Sequence, residues 1–344
     1  MKTLQAKYYL IPAAVCLLLI LGFTYYYFLS SFSARQDICY LYIDDDDTTD
    51  SVYAKLDTLS TLHGMTGLRT LARHTDYHKH LHTGRYAILP GKSTLDVYRM
   101  LKNGQQTPVM LTIPESRTLD RLANVLSHKL MIDSATISEA LSDPLRYADW
   151  GISSYDTCSL PSLFVPNTYE VYWNISVDQL MQRLVKEHDR FWDGERAAKA
   201  SALELTVNEV CTLASIIDEE TANNDEKPMI AGMYLNRLHK DMPLQADPTV
   251  KFAMKNFAAR RIYKNMLDFD SPYNTYRNTG LPPGPIKIAS VKGIDAVLNP
   301  VEHDYLYMCA KEDFSGTHNF AATYKEHLEN AARYSKALNE RGIK

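Results

Sequence analysis

A carboxylate at the end of an apolar helical stripe is the feature of this sequence that most directly suggests chemistry. The segment TVNEVCTLASIIDEET (206–221) opens with Thr206 and Glu209 three residues apart, as in a capping box. Three apolar residues and one carboxylate then share a helical face at i, i+3, i+4 and i+7: Leu213, Ile216, Ile217 and Glu220. Apolar surroundings raise the pKa of a carboxyl, as a general acid near neutral pH requires. The alternative is that Glu220 forms a structural ion pair with a Lys or Arg.

The two acidic residues beside Glu220 point in other directions. At 100° per residue, Asp218 and Glu219 lie roughly 140° and 240° round the helix from Leu213. Glu219 is therefore predicted to face solvent, and Glu220 is the preferred catalytic candidate.

The N-terminal segment Tyr8–Leu29 contains no charged residue and predicts a transmembrane helix. Its 22 residues would span about 33 Å as a helix, enough for the apolar core of a bilayer. Lys2 and Lys7 precede it, which favours a cytoplasmic N-terminus for residues 1–7. A cleaved signal peptide is the alternative, but its apolar core would be shorter and SFSAR (31–35) is a poor cleavage site.

Composition and cysteine positions narrow the function classes. The formal net charge of the 344 residues is −4, and no basic run indicates a nucleic-acid partner. Four cysteines outside the apolar segment are scattered, which is compatible with two disulfides or with free thiols: Cys39, Cys158, Cys211 and Cys309. The alternating His78, His80 and His82 could face one way in an extended segment, but no further ligand follows at a standard spacing. No metal or other cofactor is predicted.

The rest of the chain predicts an α+β protein in two parts. Residues 38–113 read as a small α+β subdomain, with strands near 38–43, 84–89 and 107–113 and helices between them. Residues 114–344 read as a mixed, mainly helical domain with short strands. This second part also carries two loops rich in Pro, Asn, Gln and Tyr, at 244–249 and 271–286. Such polar loops suit a polar polymer such as a glycan, although they could also be plain connections.

Five motifs in this second part resemble the YceG-like family of endolytic murein transglycosylases. They occur in order as LASIIDEET (213–221), AGMYLNRL (231–238), LQADPTV (244–250), YNTYRNTGLPPGPI (273–286) and HNF (318–320) with His327. GRYAILPG (84–91) is similar to the family's LysM-like region, which is thought to bind glycan. DEKP (225–228) suggests a Bacteroidetes-type member.

The resemblance implies a fold, a reaction and a place in the cell. It implies a LysM-like glycan-binding subdomain at 38–113 and a catalytic domain at 114–344. The implied enzyme is a lyase that cleaves the MurNAc–GlcNAc β-1,4 bond of nascent peptidoglycan without water, leaves 1,6-anhydroMurNAc ends and terminates strand elongation. It would be a single-pass protein of the inner membrane with its catalytic domain in the periplasm. Peptidoglycan strands and, through the family alone, peptidoglycan synthases are the implied partners.

One carboxyl group can carry out both proton transfers of that reaction, first as acid and then as base. Glu220 matches the second glutamate of the family motif, whereas the first is replaced by Asp218. PNTYE (166–170) likewise has Asn167 where the family has Asp. The candidates for binding substrate or orienting Glu220 are six: Gln245, Asp247, Thr249, Asn274, Tyr276 and His318. Asp247 could also raise the pKa of Glu220 if the two carboxylates lie close together.

Two other classes of function stay open. A hydrolytic muramidase would use Glu220 as acid and Asp247 as base or nucleophile, and would leave reducing ends instead of anhydro ends. A non-catalytic wall-binding scaffold would use residues 38–110 and would give no digestion product that depends on Glu220.

Overall fold

The computed structural model describes residues 2–79, 81–259 and 262–342. The chain forms two compact units. The first unit comprises Met1–Met110, Lys129–Ile132 and Glu170–Ile175, and the second comprises Leu111–His128, Asp133–Tyr169 and Ser176–Lys344. Helices dominate and the strands are few and short, so the predicted α+β class is confirmed.

The N-terminal helix α1 (Lys2–Thr24) continues into a π-helical turn at Tyr25–Leu29. Residues 10–29 are long and apolar enough to cross a membrane, with a mean hydropathy of 1.9, and none of these residues is fully buried. Pro12 lies inside α1 without ending it, which membrane helices tolerate. The predicted apolar helix is confirmed, although its last turn is π-helical.

The first unit contains a strand–helix–helix–strand arrangement followed by another helix. Its elements are β1 (Cys39–Ile43), α2 (Thr49–Asp57), α3 (Leu62–His74), β2 (Gly84–Ile88) and α4 (Thr94–Lys102). Strands β1 and β2 pair antiparallel, with Leu41 opposite Tyr86. Alternate residues of β1 are buried, as expected for a strand with one face on a core. Helix α2 begins after a capping box at Thr48 and Ser51.

The end of the N-terminal helix is packed into the core of the first unit. Phe32 is fully buried, and its backbone N–H donates to the carbonyl of Lys92 at 2.9 Å. The Tyr26 ring stacks on His63 with centroids 4.6 Å apart. Gly67 of α3 lies so close to the carbonyl of Tyr27 that no Cβ would fit there. Residues 25–32 are therefore part of this unit's packed structure.

The remaining elements follow in chain order. Strands β3 (Val109–Thr112) and β4 (Thr168–Val171) pair in a two-stranded sheet, with α5 (Leu119–Ser127) and α6 (Ser134–Ser142) between them. Five helices come next: α7 (Val177–Phe191), α8 (Glu195–Ala202), α9 (Val207–Glu220), α10 (Lys227–His239) and α11 (Asp247–Ala253). The chain ends with α12 (Val291–Leu298), β5 (Tyr307–Ala310), β6 (His318–Ala321) and α13 (Tyr324–Glu340).

Helix α9 is the central helix of the second unit. Its predicted capping box forms, with Thr206 Oγ1 accepting from the N–H of Glu209 at 3.2 Å. Every residue from Val210 to Ile217 is buried, and α10, α11 and α12 pack around the helix. Burial on all sides holds the C-terminal end of α9 in place, and Glu220 is its last residue.

The structure decides between the two alternatives for the cysteines, whereas part of the histidine motif lies outside the described residues. Each of the five cysteines is a free thiol, and Cys39 and Cys211 are buried, so of the two alternatives the structure has the thiols. In HKHLH, His80 lies outside the described residues, as does the side chain of His78. The described residues contain no group of three or more His, Cys, Asp or Glu arranged to hold a metal ion.

Candidate functional site

A polar cavity of about 300 Å³ opens at the C-terminal end of α9 in the second unit. Helix α10 supplies one wall, the 244–247 turn and Tyr276 a second, and the β5–β6 hairpin with α13 a third. Its polar lining includes Glu220, Tyr234, Arg237, Gln245, Asp247, Tyr276, Tyr307, His318 and His327. The cavity therefore joins four of the six predicted binding residues to Glu220.

Glu220 has the electrostatic environment of a carboxylic acid that holds its proton. Burial is the main cause that raises its pKa, and the negative charge of Asp247 raises it further. The Tyr234 hydroxyl donates to Oε1 of Glu220 at 2.9 Å and opposes this by stabilising the carboxylate. The balance brings the pKa of Glu220 to about 7, compared with 4.5 ordinarily. Such a group can both give and take a proton near neutral pH.

Asp247 is the second carboxylate of the cavity. Its Oδ1 accepts a hydrogen bond from the Tyr276 hydroxyl at 2.6 Å. Burial and this contact raise the pKa of the Tyr276 phenol, so the hydroxyl remains a donor over the physiological range. The sequence expectation that Asp247 raises the pKa of Glu220 agrees with these charges.

The neighbours of Glu220 in α9 have structural partners. The side chain of Asp218 is only 2% exposed and pairs with Lys227 Nζ at 2.7 Å. It also accepts from the backbone N–H of Ser290 at 2.6 Å, which fixes the start of α12. Asp218 therefore holds α9, α10 and α12 together.

The prediction that Glu219 faces solvent is wrong. Its side chain is only 18% exposed and forms an ion pair with Arg117 at 2.5 Å. Lys287 lies 3.7 Å from its other carboxylate oxygen. The helical wheel places Glu219 off the apolar stripe correctly, but loops from elsewhere in the unit cover that side of the helix.

Thr249 and Asn274 lie behind the cavity wall. Thr249 is fully buried, and its Oγ1 contacts the carbonyl of Ala246 at 2.7 Å and Oγ1 of Thr275 at 2.9 Å. Asn274 is also fully buried, and its Nδ2 donates to the carbonyls of Leu267 and Phe269 at 2.8 Å. Both residues shape the loops that carry Asp247 and Tyr276, and neither lines the cavity.

Gln245 is held in an unusual backbone conformation at the edge of the cavity. Its φ of 52° lies in the left-handed region, which is uncommon for a residue other than glycine. Its backbone N–H donates to the carbonyl of Thr275 at 3.0 Å, and its Oε1 accepts from Arg237 Nη2 at 2.8 Å. This arrangement joins the turn to α10 and keeps the Gln245 side chain beside the guanidinium.

His318 enters the cavity from the start of β6 with one side fixed. Glu226 accepts from the backbone N–H of His318 at 2.6 Å through Oε1. The other oxygen of Glu226 lies 3.0 Å from Nδ1 of His318. A carboxylate in this position favours a proton on Nδ1 and leaves Nε2 as the acceptor.

Sequence reasoning missed Tyr234, Arg237 and Tyr307, which line the cavity, and Glu226, which holds His318 from beside it. Tyr234 and Arg237 stand three residues apart in α10, so they share a helical face inside AGMYLNRL. Two polar side chains at that spacing, beside the buried apolar residues of α10, are a readable signal. Glu226 offers no such signal, because its contact with His318 joins residues 92 positions apart.

The fold and the site together define a class of protein in which a carboxylic acid of raised pKa ends a central helix and faces a polar cleft. Comparison with known families matches residues 41–333 to the YceG-like family. The chain belongs to this family, and the resemblance inferred from the five motifs is confirmed.

Similar proteins come from several bacteria. The chain is 37% identical over 166 residues to a Bacillus subtilis protein named endolytic murein transglycosylase, covering 48% of this chain and 45% of that protein. It is 28% identical over 282 residues to a Streptococcus pneumoniae protein of the same name, covering 74% and 51%. The chain thus spans about half the length of these relatives. The crystal structure of a putative YceG-like protein from Listeria monocytogenes superposes with a TM-score of 0.56 at 27% identity, covering 86% of this chain and 99% of that one.

Proposed function

We propose that this protein is a membrane-anchored endolytic peptidoglycan transglycosylase and that Glu220 is its acid/base. It would cleave the MurNAc–GlcNAc β-1,4 bond of nascent strands without water, leave 1,6-anhydroMurNAc ends and terminate elongation. The observation that carries the proposal is the pKa of Glu220, which burial raises to about 7 inside a polar cavity. Family membership and the names of the relatives support the same reaction.

The proposed reaction uses the proton of Glu220 twice. The protonated carboxyl donates to the glycosidic oxygen as the bond from C1 of MurNAc breaks, and the GlcNAc end leaves as an alcohol. The resulting carboxylate removes the proton from the C6 hydroxyl of the same MurNAc, and O6 bonds to C1. The carboxyl then holds its proton again, so the cycle closes without water. Tyr234 would stabilise the intermediate carboxylate through its hydrogen bond to Oε1.

The other cavity residues take supporting roles in this proposal. Gln245, Asp247, Tyr276 and His318 offer donors and acceptors for sugar hydroxyls and acetamido groups. Asp247 would also keep Glu220 protonated through its negative charge. Thr249 and Asn274 would act by holding the loops.

Asp247 also favours a second candidate, a hydrolytic muramidase. It lines the same cavity as Glu220 and could activate a water or attack C1 directly. The products separate the two reactions, because hydrolysis leaves reducing MurNAc ends and transglycosylation leaves anhydro ends.

The decisive experiment is mass spectrometry of peptidoglycan digested by the full chain in detergent, compared with its Glu220→Gln variant. The full chain is used because Phe32 belongs to the core of the first unit and a truncation after it would remove that packing. Glu219→Gln is the matched control, since it changes the adjacent carboxylate of the same helix. We expect anhydro-muropeptides from the wild type and from Glu219→Gln only.

Other outcomes would point elsewhere. Reducing ends from the wild type would support the muramidase. Equal products from the wild type and Glu220→Gln would remove Glu220 from the mechanism. No product from any of the three proteins would support the non-catalytic scaffold.

The cellular setting is also part of the proposal. The apolar helix at 10–29 supports a membrane anchor. We infer a single pass through the inner membrane, with residues 1–7 in the cytoplasm and the catalytic domain in the periplasm. Residues 38–113 would act as a LysM-like glycan-binding subdomain, and peptidoglycan synthases would be partners. An accessibility assay with a membrane-impermeant thiol reagent on single-cysteine variants at positions 3 and 302 would test this topology.

A further inference from the structure

The cavity contains a buried cation, the guanidinium of Arg237, and only some of its N–H donors have hydrogen-bond partners. Arg237 is 7% exposed. Its Nη1 donates to the carbonyl of Leu244 at 3.0 Å and its Nη2 to Oε1 of Gln245 at 2.8 Å. Among the described residues, no carboxylate lies within ion-pair distance of this guanidinium, and its buried Nε has no hydrogen-bond partner. A guanidinium has five N–H donors, so most of them remain available.

A second unpartnered polar atom lies in the same part of the cavity. Nδ1 of His327 is buried, and the described residues offer it no hydrogen bond. The His327 ring stacks on Tyr307 with centroids 5.4 Å apart, and the Arg237 guanidinium lies 5.5 Å from the centroid of Tyr307. We call this part of the cavity, lined by Arg237, Gln245, Tyr307 and His327, the arginine recess.

The arginine recess carries a positive charge. Burial, together with the charge of Arg237, lowers the pKa of His327, so its imidazole is neutral near pH 7. The cavity's carboxylates are engaged elsewhere: Glu220 with Tyr234 and Asp247 with Tyr276. Glu226, beside the cavity, is engaged with His318.

An unpaired buried cation and an unsatisfied buried N–H both cost stability. The Arg237 guanidinium is nevertheless held in this position by its hydrogen bonds to the carbonyl of Leu244 and to Gln245, whose backbone has a positive φ. A carboxylate is the group that would best complete the guanidinium, because it can accept two parallel hydrogen bonds from it. The GlcNAc residue carries no carboxylate, whereas MurNAc carries a lactyl group and, through it, a stem peptide.

We propose that the arginine recess binds a carboxylate of the MurNAc residue and that Arg237 thereby selects MurNAc over GlcNAc next to Glu220. The carboxylate comes either from the lactyl group of a peptide-free residue or from the stem peptide. This inference rests on the proposed function, because it takes peptidoglycan as the substrate.

The test is equilibrium binding to the full chain in detergent, in a Glu220→Gln background that prevents turnover. Three probes are compared: chitohexaose, which has no carboxylate, peptide-free glycan strands with lactyl carboxylates, and strands with stem peptides. We expect Arg237→Met to weaken binding of a carboxylate-bearing probe by roughly 10- to 100-fold, the range for a charge-assisted contact. Binding of chitohexaose should be unchanged, so the preference for MurNAc collapses.

Control variants separate recognition from structure. Arg196→Met removes an arginine of the same unit that pairs with Asp295, and should leave all three affinities unchanged. Arg237→Lys keeps the charge without the planar fork, and should lower the preference even if Arg237→Met fails to fold.

Each result decides a separate point. Loss confined to the peptide-bearing strands identifies the stem carboxylate, and loss confined to the peptide-free strands identifies the lactyl carboxylate. Loss on both kinds of strand shows that the recess accepts either carboxylate. Equal loss on chitohexaose and on the strands would make Arg237 a structural residue and overturn the inference. If the Glu220→Gln chain binds none of the three probes, the proposed substrate fails, and the inference fails with it.

Discussion

The Tyr234 hydroxyl donates a hydrogen bond to Oε1 of Glu220 at 2.9 Å, which joins α10 to the last residue of α9. The bond stabilises the carboxylate, whereas burial and Asp247 stabilise the protonated acid. The pKa of Glu220 is therefore set by opposing contacts from identified residues. Removing the Tyr234 hydroxyl and removing the Asp247 charge should therefore shift the pKa of Glu220 in opposite directions.

Tyr234→Phe should move the alkaline limit of activity to higher pH. Without the hydroxyl, the Glu220 carboxylate loses a hydrogen-bond donor. Its pKa therefore rises above about 7, and the acid stays protonated to higher pH. A hydrogen bond of about 1 kcal/mol corresponds to a shift of just under one pH unit. The measurement is the pH profile of kcat/KM on peptidoglycan, and an unmoved alkaline limb would contradict the prediction.

Asp247→Asn should move the same limit the other way. Removing the negative charge lowers the pKa of Glu220, so activity declines at lower pH than in the wild type. We expect a shift of about half a unit to one unit, with anhydro products still formed at pH 5. Complete loss of product at every pH would instead favour the muramidase, in which Asp247 takes part in the reaction.

Glu220→Gln should stabilise the protein at alkaline pH. The pKa of Glu220 is about 7 in the folded state and near 4.5 in the unfolded chain. Between these values the folded state holds a proton that the unfolded chain has released, so stability falls as pH rises through this window and stays constant above it. The cost above pH 7 is at most about 3 kcal/mol.

Thermal unfolding of the full chain at pH 4.5 and pH 8 measures this effect. Glu220→Gln should unfold several degrees above the wild type at pH 8, with a smaller difference at pH 4.5. Glu219→Gln serves as the control and should not be stabilised at pH 8, because it breaks an ion pair with Arg117. Equal melting temperatures for Glu220→Gln and the wild type at pH 8 would contradict the prediction.

Asp218→Asn should destabilise the second unit without moving the pH profile. The change leaves the buried Lys227 ammonium without its partner, which costs about 3–5 kcal/mol. Thermal unfolding and the pH profile of kcat/KM are the two measurements. The double variant Asp218→Asn/Lys227→Met should recover much of the loss, because the stranded charge is gone. A shifted alkaline limb in the single variant would instead link Asp218 to the titration of Glu220.

Local periodicity was enough to predict the helix that carries the acid. The capping box at Thr206 and the apolar stripe ending at Glu220 depend only on residues within one helix, and both are present. The same local logic failed for Glu219, because its partner Arg117 lies 102 positions earlier in the chain.

The rest of the candidate site depends on tertiary packing. Tyr234 and Arg237 reach the cavity only because α10 packs on α9, which no spacing in the sequence encodes. Thr249 and Asn274 are polar and lie two residues from the cavity-lining Asp247 and Tyr276, yet their loops bury them. Distinguishing a loop residue that faces substrate from one that holds the loop requires the backbone path, as the positive φ of Gln245 illustrates.

The burial of Phe32 and the close approach of Gly67 to the Tyr27 carbonyl leave no slack between the apolar helix and the first unit. A flexible tether would let the first unit take up many positions and orientations above the bilayer. The length of the tether would then set the effective concentration of this unit near the membrane. A rigid junction exchanges that freedom for a single orientation. In a membrane, this unit would move by lateral diffusion in two dimensions, with its surfaces held at a constant depth.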